Sequence, residues 1–125
     1  MNLPPPFDTL RIEKHAGEYK DFGNPESDYP LKGVTYPVDY GDIDGYLGED
    51  GANLDVFMGY SGTIFGYIKV FRPELPNGEH KFYLYLTEDE ERAILKEFGP
   101  VILKNDRFKS IDELTQAVKP FKQLV

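Results

Sequence analysis

Apolar and polar residues alternate from Thr9 to Lys14, with Leu10 and Ile12 on one side, and this period of two predicts a first β-strand behind the stiff lead-in of Pro4 to Pro6. From His15 to Pro30 the chain carries Gly17, Gly23, Pro25 and Pro30 among many charges, the signature of a loop or an irregular hairpin. Val34, Tyr36 and Val38 return to strand spacing, and Pro37, which lacks an N–H for a ladder, predicts an edge or a strand end. Gly41, Gly45, Gly48 and Gly51 then predict a turn-rich segment. Leu54 to Phe57, Thr63 to Phe71 and Lys81 to Leu86 are rich in branched and aromatic residues, as strands are, and Pro76-Asn77-Gly78 supplies a hairpin turn before the last of them.

Two helices are expected next. Thr87 with Glu90 and Ser110 with Glu113 each have the spacing of a capping box, in which hydroxyl and carboxylate satisfy exposed backbone N–H groups. Ile94 and Phe98 share a face of the first, stopped by Gly99-Pro100; Ile111, Leu114 and Val118 share a face of the second, ended or kinked at Pro120. Strands followed by helices argue for an α+β fold with a twisted sheet or small barrel, and against a parallel doubly wound one.

At 125 residues the chain has the length of one domain spanning 1–125, and 40% hydrophobic residues with nine Tyr and nine Phe are enough to fold it. The start, Met-Asn-Leu-Pro-Pro-Pro-Phe, lacks the basic and apolar runs of a secretion signal, and no apolar stretch approaches bilayer length, so a soluble, cytoplasmic protein is expected. A net charge of −8 disfavours nucleic acid and anionic membranes as partners and favours cations. With no Cys, and His15 and His80 the only imidazoles, a metal would be held mainly by oxygen.

No Lys, Arg or His occurs between Lys32 and Lys69, yet Asp39, Asp42, Asp44, Glu49, Asp50 and Asp55 crowd into this stretch. Crowded carboxylates raise one another's pKa unless a cation neutralises them, and hard divalent ions are their usual partners. Solvated turn residues are the alternative reading. An EF-hand is excluded: Asp42-Ile43-Asp44-Gly45 fits the middle of its loop, but Tyr40 stands where the first ligand belongs and Gly51 where the closing Glu belongs.

Tyr36-Pro37-Val38-Asp39-Tyr40-Gly41, followed by Asp50-Gly51-Ala52-Asn53-Leu54-Asp55-Val56, resembles the central region of the soluble family I inorganic pyrophosphatases. The resemblance implies a five-stranded, OB-like barrel whose rim gathers carboxylates around Mg²⁺, or Mn²⁺, and hydrolyses pyrophosphate or a related phosphoanhydride with a metal-activated water. It implies Asp50 and Asp55 as metal ligands and catalytic groups, Tyr40 as a phenol near the nucleophile and Tyr36 behind it. Arg11 and Glu13 resemble a Lys-x-Glu pair in which the cation contacts phosphate and the carboxylate reaches the metal. Asp39, Asp42 and Asp44 are additional candidate ligands. Relatives commonly form homo-oligomers.

The departures are specific. Ala52 replaces the middle Asp of the metal signature, and a methyl group can neither ligate metal nor accept a proton. Asn53 replaces its Pro. On the downstream hairpin Glu79 and Lys81 could stand in for an acid and a phosphate-binding cation, while Arg72 near a ligand position would oppose a metal. Phe108-Lys109 and Phe121-Lys122 keep the cation of a Tyr-Lys pair without its phenol. The competing expectation is therefore a catalytically silent pyrophosphatase-like metal-binding or interaction module. An OB-like nucleic-acid binder ranks last, for want of a basic groove.

Overall fold

The computed structural model describes residues 2–23 and 28–123, in the order β1 (Leu10–Lys14), β2 (Tyr19–Asp21), β3 (Gly33–Thr35), β4 (Asp39–Leu47), β5 (Asn53–Met58), β6 (Ile64–Arg72), β7 (Leu75–Leu86), α1 (Glu88–Glu97), β8 (Ile102–Phe108) and α2 (Ile111–Val118). The class is α+β, as expected. A six-stranded sheet runs β1-β4-β5-β7-β6-β8, and β2 pairs with β3 in a separate ribbon. Neighbours in the large sheet are antiparallel except β5 and β7, which are parallel. The five-strand expectation is corrected: the large sheet has six strands, and β1 and β8 stand at the two ends of the pairing order rather than pairing with each other.

Alternation of side chains sends residues to two separate cores. Ile43, Leu54, Val56, Met58, Phe82 and Leu84 pack on one face with Phe7 and with Leu114 and Val118 of α2. Tyr40, Phe57, Ile68, Val70 and Tyr83 pack on the other with Ile94 of α1 and with Phe98 and Val101 beyond it. A sheet covered on both faces needs apolar residues in succession, which accounts for the buried run Val56-Phe57-Met58.

The glycine-punctuated segment is not turn-rich from Gly41 to Leu47: those residues are most of β4, which lies between β1 and β5 as far as Ile43 and, after a register shift, pairs with β5 again at Leu47. Gly41 is there because β1 passes so close that a Cβ would sit 1.8 Å from the Arg11 carbonyl oxygen. Only the end of the segment turns, where Gly51 N–H bonds the Gly48 carbonyl at 3.0 Å and Gly51 adopts φ +80°. The β6–β7 turn also differs from expectation. It lies at Pro73-Glu74, between the paired residues Arg72 and Leu75, and β7 runs on through Pro76-Asn77-Gly78. A two-residue turn with Pro leading closes the hairpin earlier, and the register shift between Val70 and Arg72 absorbs the irregularity.

Val34 to Val38 is split, since β3 ends at Thr35 before Pro37, and the loop expected over 15–30 contains β2 in its described part. Strand β8, between the helices, was not expected at all. The capping box at α1 is complete, whereas at α2 the Ser110 hydroxyl accepts from Glu113 N–H and the Glu113 carboxylate accepts instead from Lys109 N–H at 3.1 Å. No helix is long and apolar enough to cross a membrane among the described residues.

Candidate functional site

Register places a row of charge across four strands. Arg11 of β1 stands opposite Asp42 of β4, Asp42 opposite Asp55 of β5, and Asp55 opposite Lys81 of β7. Residues directly opposite share a face, so these side chains project on the side that carries Tyr40 and Tyr83, the side of α1. A register shift between Ile12 and Lys14 interrupts β1 at Glu13, the kind of irregularity that re-aims a side chain. The Gly48–Gly51 turn carries Asp50 above the row, its Oδ1 accepting from Ala52 N–H at 3.0 Å.

These residues open onto a cavity of about 430 Å³ lined by Glu13, Asp50, Asp55, Glu74 and Glu79, by Lys20, Arg72 and Lys81, and by Tyr29, Tyr36 and Tyr40 among apolar neighbours. At its floor the Lys81 ammonium, in a side chain only 10% exposed, donates to Asp55 Oδ2 at 2.8 Å and to the Tyr40 hydroxyl at 2.6 Å, and lies 3.5 Å from Glu79 Oε1. Arg72 spans the rim, 2.8 Å from Glu74, 3.4 Å from Glu79 and 3.5 Å from Asp50. Tyr36 stacks on Tyr40, and Phe57 packs against Tyr40 at a tilt, fixing the phenols from behind.

The electrostatics follow from burial inside mixed charge. Burial opposes the Lys81 ammonium, but Tyr40, Asp55 and Glu79 more than compensate, and its pKa stands well above the ordinary lysine value. Burial pushes the Tyr40 phenol well up despite Lys81. Glu79 is raised by burial, with Lys81 and Arg72 pulling the other way. Glu13 is raised first by the hydrogen bond it can share with Asp42, then by burial and by the charges of Asp42 and Asp55, against Arg11. The cavity thus sets an ammonium and a guanidinium beside two carboxyls, Glu79 and Glu13, whose pKa stands above the ordinary value.

Of the candidate residues, Tyr36, Tyr40, Asp50, Asp55, Lys81 and Glu13 come together around this cavity. Arg11 stays at the outer end of the row, 59% exposed, with its guanidinium on Asp42 at 3.0 Å. Asp44 is exposed two residues beyond Asp42. Asp39 falls on the opposite side because it is odd where Tyr40 and Asp42 are even; its carboxylate accepts from Ala16 N–H at 2.9 Å and from Tyr60 O–H at 2.7 Å. That phenol is pushed up to about 12 by the Asp39 hydrogen bond.

Although the acidic stretch contains no base of its own, Lys81 and Arg72 reach it from β7 and β6. Glu79 and Arg72, flagged by the downstream hairpin, prove to belong to the cavity, and Lys20 and Tyr29 join it from residues that carried no sequence signal. His80 points to the other face, stacked on Phe82 and 2.6 Å from Glu49 Oε2.

Carboxylates lining one cavity are the hard oxygen donors that Mg²⁺ requires, so the donor chemistry fits such an ion. Among the described residues, however, no three acidic or imidazole side chains converge closely enough to hold a metal as they stand. Asp55 and Asp50 are instead committed to ion pairs. Comparison with family models, with curated proteins and with solved structures finds no match to this chain.

Proposed function

We propose that this cavity binds pyrophosphate or a related phosphoanhydride and hydrolyses it with Mg²⁺ or Mn²⁺, in a pyrophosphatase-like domain with an OB-like curvature of its sheet. One observation carries the reading: the ammonium and guanidinium of Lys81 and Arg72 share a single cavity with the carboxylates of Asp50, Asp55, Glu79 and Glu13. A polyanion with its counter-cation needs both kinds of group at once. Asp50, Asp55, Glu79 and Glu13 would hold the metal, which supplies charge neutralisation and Lewis acidity to the phosphoanhydride. Lys81 and Arg72, released from their carboxylates, would turn to phosphate oxygens. Tyr40, kept protonated by burial, would turn its O–H to a phosphate oxygen and is no base at neutral pH.

The test is phosphate release from pyrophosphate with Mg²⁺ or Mn²⁺, alongside calorimetric titration of each metal. The Asp50→Ala, Asp55→Ala double variant should lose turnover and metal binding; equal rates in the two proteins end the enzymatic reading. Ala52 favours a second reading, a catalytically silent binding module, since its methyl leaves the central ligand position empty of donors. A large gain on Ala52→Asp supports a silent module that lost its acid, and no gain in a protein without turnover indicates that further groups have been lost as well.

A further inference from the structure

Strand β8 ends the large sheet, and its residues are exposed from Leu103 to Arg107 with only Ile102 and Phe108 partly covered. One edge of β8 pairs with β6, and among the described residues no strand pairs with the other. A flat, accessible strand edge is a template for another strand. Leu103 adds an apolar side chain that is 51% exposed. Asn105 and Arg107 are anchored from within, to Tyr83 and Glu91, and residues 104–108 pair with β6 without interruption, so this part of the edge is held by the core behind it.

We propose that β8 is the interface between two copies of this chain, joined edge to edge in antiparallel fashion about a two-fold axis through Asn105. The register follows from the sequence of the strand. In a sheet continued across a two-fold axis, opposite residues share a face, so paired residue numbers must sum to an even value. A sum of 208 sets Lys104 against Lys104 of the second copy, 212 sets Asp106 against Asp106, and 214 sets Arg107 against Arg107. The sum of 210 alone sets Lys104 against Asp106 twice. It sets Asn105 against Asn105 within residues 104–108, which pair with β6 without interruption; beyond Lys104 a register shift turns Ile102 to the α1 side, opposite to Phe108, and the regular pairing ends there.

Charge therefore selects this register. Lys104 and Asp106 already lie 3.4 Å apart within one chain, both near Tyr67, so each is placed to turn to the second copy without leaving the strand's own face. The inference is independent of what the cavity binds.

The experiment is sedimentation velocity on the full chain across a concentration series, with circular dichroism to confirm folding. The protein should dimerise. Asp106→Lys or Lys104→Asp should each weaken dimerisation by about tenfold or more, since each places like charges opposite one another twice. The swap of both together, Lys104→Asp with Asp106→Lys, should restore it. If one single variant fails to fold, the other carries the same test. A monomeric wild-type protein overturns the proposal, as does a dimer indifferent to the single variants, or a swap that leaves the protein monomeric.

Discussion

Replacing Lys81 by Met tests whether the floor of the cavity is an ion-paired unit. The change keeps length and apolar volume but leaves Asp55 and Glu79 without the ammonium that lies 2.8 and 3.5 Å away, and Tyr40 without its partner at 2.6 Å. Removing one partner of a buried pair costs about 3–5 kcal/mol, and the lower end applies because Asp55 retains 26% exposure and water can reach it. For a chain of this size about 3 kcal/mol lowers the melting temperature by roughly 10 °C.

The loss has a pH signature. Glu79 already has a folded pKa above its ordinary value, raised by burial and held back by Lys81, so without the ammonium it rises further. A group with a raised folded pKa contributes stability that is full below its unfolded pKa and lost as pH rises through the folded one. The gap between wild type and Lys81→Met should therefore be widest near neutrality and narrow in acid. Urea denaturation of both proteins at about pH 7.5 and about pH 4 measures it. A gap below about 1 kcal/mol, or one that stays constant between the two conditions, refutes the ion-pair account.

Gly41→Ala should destabilise by about 3 kcal/mol or more in urea titration, because the new methyl meets the Arg11 carbonyl and separates β1 from β4. Glu91 accepts from Tyr83 O–H at 2.6 Å and from Arg107, and although burial opposes its charge these partners lower its pKa. Its contribution is present above the unfolded carboxyl pKa and lost as pH falls through the folded one, so Glu91→Gln should cost about 2 kcal/mol near neutrality and flatten the acid side of the stability profile. Thr87→Ala removes the hydroxyl that accepts from Glu90 N–H and should cost about 1 kcal/mol by the same titration, with helix content lost first at α1.

Strands β1, β5, β6 and the second half of β7 were legible because each buries one face or both, and burial imposes a period on the sequence. The helices were legible through local hydrogen bonding at Thr87 and Ser110, which requires no knowledge of the rest of the chain. β4 was hidden by its Asp and Gly residues: local preference favours turns there, and pairing with β1 and β5 on both sides overrides it. β8 was hidden because a strand whose side chains stay in solvent has no apolar alternation to show. The same blindness explains Asp39. With β4 unrecognised, its odd position could not be set against the even positions of Tyr40 and Asp42. Asp50, Asp55, Tyr36 and Tyr40 were within reach because they lie in one contiguous stretch, whereas the partnership of Arg72 with Asp50 and of Lys81 with Asp55 exists only once β6 and β7 have been laid beside β5.

The parallel contact of β5 with β7 also has a consequence for how the strands must align. The stretch from Gly33 to Ile68 contains acids and no bases, so the β4–β5 hairpin on its own is a self-repelling ribbon. Arg11 of β1 offsets Asp42, but the counter-charge of Asp55 comes from Lys81, beyond β6. Shifting β7 by one residue would bring His80 or Phe82 opposite Asp55 and turn the ammonium toward the α2 side. The ion pair thus serves as a proofreader of strand alignment, rewarding the one alignment in which the nascent hairpin's repulsion is cancelled.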